Sequence, residues 1–456
     1  MSNHMSPTVN EMSQDATGTG ESRPLTTEPG KPQYSLIEFV EDMDRYCPGG
    51  YHPLKIGDVL ADGRYRLVDK LGYGGYSTVW LARDIREARY VAVKVITADG
   101  SSCSPEANLM DFLGKLPSTS GAEIIPPLLD EFWVTGPNGQ HKCNVTHPAR
   151  MSLLAAREDS IFHLFPPKVA HSIIAQLIRG VAFLHSNNIV HADLHLGNIL
   201  VQFFESIDCF STSELYEEFG EPESEPVVRR DGKPLSDGVP DHAFTSGWYG
   251  VSGDELTHGN ESIYLSDFGE SFNPHTTPRY SSNTLPHLQP PEARFSDGPL
   301  SFSSDIWTLA CTIWEIFGQR PLFEIFPASA DHVTAAQVEA LGILPTEWWK
   351  KWEKRNQWFN EEGEFGGTAR GPDNVCWTWD LRFEFSIQKP RAEAGLEIPT
   401  EEERAVFEAM LRSMLKFRPE ERATASEVLN SEWMKGWGQP ALEESWTHDS
   451  SAQDSG

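Results

Sequence analysis

The sequence predicts an α+β fold of two unequal lobes, a small antiparallel β-sheet with one key helix followed by a larger, mainly α-helical part. Strand-like runs crowd residues 64–96, long helical periodicity sets in from about Pro166, and a helix apolar on nearly every face follows at 304–318.

The runs RYRLVDK (64–70), STVWLARD (77–84) and YVAVKVI (90–96) are separated by Gly-rich or charged turns, the pattern of a meander. In KVAHSIIAQLIRGVAFLH, Val169, Ile173, Leu177 and Val181 fall four apart with Ile174 and Ile178 beside them, so one face packs inward, and Pro166-Pro167 sets the start. SDIWTLACTIWEIFG (304–318) has the composition of a helix at the centre of a lobe. Thr424 and Glu427 form a capping box expected to open the last helix. In PTEWWKKWEKRNQWF, Trp348, Trp349, Trp352 and Trp358 stand near helical spacing; core packing of an amphipathic helix is weighed there against a groove for a substrate or partner.

Residues 1–33 are Ser/Thr/Gly/Pro/Glu-rich without apolar periodicity and are expected to be a disordered tail, as are 438–456. Between them, 34–62 read as an N-terminal extension, 63–147 as the small lobe and 148–437 as the large lobe, with a spacer at 201–262 and an insertion at 319–400. The spacer is acidic, then dotted with Pro and Gly. A long disordered excursion would suit it, though Tyr216 and Phe219 suggest that part packs.

With 456 residues, 39% of them hydrophobic, the chain can bury a substantial core. A net charge of −30 disfavours nucleic acid and anionic membranes as direct partners, whose phosphates it would repel, and favours a basic partner. The plainer alternative is a surplus of carboxylates that keeps the chain soluble. Six scattered cysteines (Cys47, Cys103, Cys143, Cys209, Cys311, Cys376) have no CxxC pair, so reduced thiols are expected. The N-terminus lacks a signal-peptide pattern and no apolar run of about 18 residues occurs, so a soluble intracellular protein is expected; a monomer is a separate expectation.

Chemistry-bearing residues recur in order. LGYGGYSTVW sets Gly72 and Gly74 at GxG spacing, with Ser77 where a third glycine often stands; glycines there let backbone N–H groups approach polyphosphate. A hairpin turn needing positive φ explains Gly74 and Gly75 equally well. In VAVK, Ala92 and Lys94 share one strand face, a small apolar surface for an adenine and an ammonium for phosphates, and Val79 on the neighbouring strand completes the roof. A carboxylate must hold Lys94 extended; Glu106 is the first choice, with Glu123 or an exposed role for Glu106 as the alternatives. In IVHADLHLGNIL, Asp193 and Asn198 flank a compact loop offering a carboxylate for a hydroxyl proton and an amide oxygen for Mg²⁺, and IYLSDFGES ends a strand in Asp267, the main Mg²⁺ ligand.

Taken together, the Gly-rich loop, strand lysine, HxD…N loop and DFG resemble a eukaryotic protein kinase over about residues 50–436, with Pro290-Pro291-Glu292 in the place of A-P-E, Asp305 and Trp307 as DxW, and Arg422 as the partner of Glu292. CPGGYHPLKIGDVLADGRYRLVDKLGYGGYSTVWLARD further resembles the serine/arginine-rich splicing-factor protein kinase family in its fungal form, which places a spacer between catalytic loop and DFG. The resemblance implies a bilobal protein-kinase-like fold and a serine/threonine kinase that phosphorylates basic Arg-Ser-rich protein substrates in cytoplasm and nucleus. It implies Mg²⁺-ATP held by Leu71, Gly72, Gly74, Gly75, Ser77, Val79, Ala92, Lys94, His147, Ala149 and Leu200, with Asn198 and Asp267 on the metal and Asp193, His195, Lys94 and Glu106 in catalysis.

Two positions depart from the pattern. Ala192 replaces the arginine that in many kinases grips a phosphorylated activation loop, which predicts activity without that phosphorylation. His195 stands where most protein kinases carry lysine, and HADLHLGN also resembles the HGDLHxGN loop of small-molecule phosphotransferases such as aminoglycoside and choline kinases. A weakly active or silent pseudokinase scaffold and a small-molecule kinase are therefore the alternatives. In the hinge VTHPAR, Thr146 takes the gatekeeper position, Pro148 removes one backbone N–H and that of Ala149 remains.

Overall fold

A computed structural model describes residues 32–102, 104–117, 119–324, 329–366 and 375–453, the last six of these as backbone only. The expected N-terminal tail lies outside the described residues except for its last two, and so does Cys103. Six strands, β1 (Val59–Leu60), β2 (Tyr65–Gly74), β3 (Ser77–Asp84), β4 (Arg89–Ile96), β5 (Asp130–Gly136) and β6 (Gly139–Thr146), form one antiparallel sheet in the order β1-β2-β3-β4-β6-β5. Alternation drives it: Tyr65, Leu67, Trp80, Val91, Val93, Val95 and Val145 share one buried cluster. Helix α1 (Glu106–Gly114) enters between β4 and β5.

The large lobe is built on α2 (Pro167–Ser186), whose Val169, Ile173, Leu177 and Val181 are at most 1% exposed. Pro167 at its first turn needs no N–H partner there. Five short strands, β7 (Ala149–Ser152), β8 (Ile199–Gln202), β9 (Ser224–Pro226), β10 (His242–Phe244) and β11 (Ile263–Leu265), pair as a β11-β8-β7 sheet and a β9-β10 ribbon. Helix α3 (Thr212–Phe219) lies in the spacer, and helix α4 (Phe302–Phe317) is buried at every position from Ser304 to Phe317.

The spacer is not a disordered excursion. A Ser211–Glu214 capping box opens α3, Leu215 is fully buried beside Val68, Leu81, Tyr90 and Tyr249, and Tyr216 Oη donates to the Val68 carbonyl at 2.6 Å. Its later part packs on the N-terminal extension, where Tyr34, Ile37, Met43 and Tyr46 share a cluster with Val227, Val239 and Ala243. Lys70 of β2, fully buried, pairs there with Glu41 and donates to the Phe244 carbonyl at 2.8 Å.

Three further expectations change. The C-terminal stretch expected to be disordered forms α5 (Gln439–Gln453), because Ala441, Leu442 and Ser445 make a narrow stripe that seats on α2. The Thr424–Glu427 capping box forms, but it opens the short helix Ala425–Leu429 rather than the last one. The four tryptophans are core, as the packing alternative held: Trp348, Trp349, Trp352 and Trp358 lie between 0% and 7% exposed around Phe295 and Phe359. They do not share one helix, since Thr346–Lys351 ends before Trp352 and a 3₁₀ turn carries the chain to Trp358.

Candidate active site

Register across three strands sets the first half of the site. Gly72 pairs with Val79 and Val79 with Lys94, so these residues form one row, with Ala92 two residues further along β4. Leu71 precedes the row and Ser77, 8% exposed, closes the β2–β3 turn. Neither Gly72, Gly74 nor Gly75 has positive φ, so the turn itself does not require glycine and that alternative falls. A Cβ on Gly72 or Gly74 would meet nothing within 4 Å: the glycines leave open space above the row.

Lys94 reaches into that space. Its Nζ lies 2.8 Å from Glu106 Oε1 and 2.9 Å from Asp267 Oδ1. Burial works against the ammonium, but the two carboxylates outweigh it and hold the Lys94 pKa above the usual lysine value. The same ammonium holds the Asp267 carboxyl below its ordinary range. Glu106 also receives Asn144 Nδ2 at 3.4 Å and the Phe268 N–H at 3.3 Å. Glu123, the alternative partner, is elsewhere, on Arg179 at 3.2 Å and the Gly121 N–H at 2.6 Å.

The second half hangs on the β8–β11 pair. Ile199 pairs with Leu265, and the Ser266 N–H and Oγ both donate to the Asn198 carbonyl, at 2.8 and 3.0 Å. This ladder sets Asn198 beside Asp267 although 69 positions separate them in sequence. Leu200 continues β8 opposite Tyr264, and Ala149 opens β7 after the hinge residues His147 and Pro148. Burial lowers the His147 pKa, with Arg89 adding to the effect.

Asn198 Nδ2 donates to the Asp193 carbonyl at 3.0 Å and to Asp193 Oδ2 at 3.1 Å, which orients the carboxylate and leaves the amide oxygen free of hydrogen-bond donors among the described residues. His195 Nδ1 accepts the Gly197 N–H at 3.0 Å, so its ring proton sits on Nε2, 3.5 Å from Asp193 Oδ2. The loop is fastened from α4: Asp305 accepts the His191 N–H at 2.7 Å and the Ala192 N–H at 2.9 Å. That grip holds Ala192 at φ +70°, a left-handed conformation, and His191, fully buried, reaches the Ser266 carbonyl at 3.1 Å.

The donor set fits a magnesium nucleotide. Magnesium takes one or two protein oxygens and completes its shell from phosphates and water, and the Asn198 amide oxygen with the Asp267 carboxylate supplies such a pair. Among the described residues no group of three or more His, Cys, Asp or Glu forms a metal cage. The sequence-nominated residues therefore come together around one cleft, Lys94, Glu106 and Asp267 on one side and Asp193, His195 and Asn198 on the other. Sequence reasoning left three supports unassigned: Asn144, which no motif marks, His191, and Tyr51, whose hydroxyl donates to the Gly74 carbonyl at 2.7 Å.

A model of the protein kinase domain family matches residues 65–208 and 255–434. A serine/threonine protein kinase of Aspergillus fumigatus is 28% identical over 413 residues, covering 88% of this chain and 92% of its own. Serine/threonine-protein kinase SRPK of Physarum polycephalum is 27% identical over 413 residues, 86% and 91% of the two chains. Human SRSF protein kinase 3 is 39% identical over 169 residues, 36% of this chain and 30% of that one. A solved crystal structure of a kinase domain superposes with a TM-score of 0.58 at 18% identity, covering 84% of this chain and 98% of the other.

Proposed function

Because the chain belongs to the protein kinase family, as a protein serine/threonine kinase, we propose that it transfers the γ-phosphoryl group of Mg²⁺-ATP to serines in basic Arg-Ser-rich protein segments. The convergence of Lys94, Glu106, Asp267, Asn198 and Asp193 on one cleft carries the catalytic part of this reading. Lys94, oriented by Glu106, binds the α- and β-phosphates below Gly72 and Gly74, and Val79, Ala92 and Leu200 offer the apolar surface for adenine. Magnesium held by Asn198 and Asp267 supplies charge neutralisation when bound. Asp193 orients the substrate hydroxyl and takes its proton, and the Nε2–H of His195 faces the same carboxylate.

The substrate class is supported by charge and by kinship. A net charge of −30 favours guanidinium-rich partners, and two relatives carry SRSF kinase or SRPK in their names. On this reading the chain acts on splicing factors, in cytoplasm and nucleus, as a monomer and without binding nucleic acid or membrane. No helix among the described residues is long and apolar enough to cross a membrane.

The test is labelled ATP with an Arg-Ser peptide, a Lys-rich control protein and an aminoglycoside. Transfer to the Arg-Ser peptide above the control is expected, and Asp193→Asn should lower it by about 10²–10⁴-fold while ATP binding persists. Labelling of neither protein by the unmutated chain removes the reading, and labelling of the aminoglycoside alone replaces it with a small-molecule kinase.

A further inference from the structure

The paired glycines of CPGGY touch neither the catalytic loop nor the metal pair, yet the backbone requires both. Gly49 has φ +89°, and a Cβ on Gly50 would stand 1.8 Å from the Arg45 carbonyl oxygen. They fold residues 45–51 into a tight loop, closed by the Tyr51 N–H on the Arg45 carbonyl at 3.1 Å. The helical turn after β4 and the β5–β6 turn anchor it: Ala98 N–H donates to the Gly50 carbonyl at 3.0 Å, Asp99 N–H to the Gly49 carbonyl at 2.8 Å, and Gly49 N–H to the Asn138 carbonyl at 2.8 Å. Asn138 Nδ2, 4% exposed with its residue, then links the Tyr51 carbonyl to the Gly238 carbonyl of the spacer, at 2.7 Å each.

From this anchored loop Tyr51, 3% exposed, extends its ring to the glycine-rich turn and donates to the Gly74 carbonyl at 2.7 Å. Arg45 Nη1 donates to the same hydroxyl at 3.1 Å, and its guanidinium lies over the Tyr51 ring at 4.8 Å and the Tyr76 ring at 5.8 Å. Burial pushes the Tyr51 phenol up to about 12, so it keeps its proton at any working pH. The turn is otherwise open on the Cβ side of Gly72 and Gly74, with Arg45 Nη1 the nearest group to a Cβ on Gly75, at 3.7 Å.

We propose that Tyr51 and Arg45 are positioning residues for the phosphate-covering turn Gly72–Ser77, a tether that limits how far the turn lifts and so sets affinity for ATP. Transfer itself does not pass through either side chain. The inference rests on the cleft being the nucleotide site.

Tyr51→Phe keeps the ring and deletes the hydrogen bond. The expected result is a KM for ATP raised about three- to tenfold, the effect of one net hydrogen bond, with kcat at saturating ATP within about twofold of the unmutated enzyme. Amide hydrogen exchange over residues 72–77 of the nucleotide-free protein should quicken while residues 91–96 stay unchanged. If Tyr51→Phe does not fold, Arg45→Met carries the same expectation at a smaller shift. An unchanged KM together with unchanged exchange overturns the tether alone, as does a loss of kcat and stability with KM unchanged. Calorimetry showing that the unmutated chain does not bind Mg²⁺-ATP overturns the tether and the nucleotide site together.

Discussion

Arg422 clamps Glu292 through two parallel hydrogen bonds, Nη1 to Oε1 at 2.7 Å and Nη2 to Oε2 at 2.6 Å, with both side chains at most 5% exposed. The guanidinium also donates to the carbonyls of Ser303, Lys416 and Phe417 and lies 5.0 Å above the Trp307 ring. Every donor is thus used, and removing Arg422 strands a buried carboxylate together with three carbonyls. Arg422→Met should destabilise the protein by about 3–5 kcal/mol, read as a lower urea midpoint at an unchanged slope. Glu292→Gln should cost less, because a neutral amide still accepts from the guanidinium.

Lys94 is shared between Glu106 and Asp267, at 2.8 and 2.9 Å. Without Glu106 its ammonium falls to Asp267 alone, out of line for phosphates. Lys94→Met should lower kcat/KM by roughly 10²–10³-fold, the effect of removing one preorganised charge donor, and Glu106→Gln should follow in the same direction. Steady-state kinetics with an Arg-Ser peptide measures both. Glu123→Gln, on Arg179, should leave the rate unchanged.

Much of this site was legible because its chemistry is local in sequence. Strand alternation placed Ala92 and Lys94 on one face, and the β3 and β4 runs fall within one residue of their observed ends. The contacts that join distant segments left no such trace. Nothing in the sequence around Lys70 marks its burial, which comes from Glu41, 29 residues before it, and Phe244, 174 residues after it. Likewise Leu442 and Ser445 give α5 too narrow a stripe to outweigh its Ser, Asp and Glu content, and only the surface of α2 completes it. Gly74 and Gly75 carried two explanations of equal standing, and only the observed backbone angles removed one.

Ala192 leaves the segment from Asp267 to Glu292 without a catalytic-loop arginine to grip a phosphate, and hydrogen bonds and an ion pair hold it instead. Thr284 Oγ1 donates to the Ala192 carbonyl at 2.8 Å, and Gln289 Nε2 donates to the Ser282 carbonyl at 2.9 Å. Glu270 Oε2 receives Arg279 Nη1 at 3.3 Å and Asn283 Nδ2 at 3.1 Å, contacts that need no phosphate. Exhaustive phosphatase treatment should therefore leave activity within about twofold, whereas Thr284→Val should lower kcat about three- to tenfold through the lost hydrogen bond. An initial rate that collapses on dephosphorylation contradicts this.

His52 gives the fold an acid-sensitive point. Its ring lies tilted against that of His141, 4.8 Å between centroids, and burial, with His141 adding to it, pushes the His52 pKa down to about 4 from 6.5. His141 is lowered by burial as well, with Nδ1 on the Ile96 carbonyl at 2.9 Å. The unfolded chain takes up protons first, so this stability is complete above pH 6.5 and is lost as the pH falls through 6.5 towards 4. Urea titrations at pH 7.5 and pH 5 should show a smaller loss for His52→Phe than for the unmutated protein, since the carboxylate contributions are common to both.

The spacer's helix α3 is part of the small lobe's fold, and stability should say so. Leu215 is fully buried in a cluster that includes Val68, Leu81 and Tyr90, which belong to β2, β3 and β4. Two hydrogen bonds reinforce the junction, Tyr216 Oη to the Val68 carbonyl and Tyr249 Oη to Asp69 Oδ2, both at 2.6 Å. Burial raises the Asp69 pKa, and the carboxylate is satisfied by Tyr249 Oη on Oδ2 and by the Lys70 N–H on Oδ1 at 2.7 Å, so loosening the spacer removes one of two partners of a buried polar group. Leu215→Ala should destabilise by about 2–5 kcal/mol, the range for truncating a buried leucine. A disordered insertion would tolerate the same change within about 0.5 kcal/mol. Because β2 and β4 carry the glycine-rich turn and Lys94, the variant should also raise the KM for ATP, and a Leu215→Ala protein with unaltered urea midpoint would place α3 outside the cooperative fold.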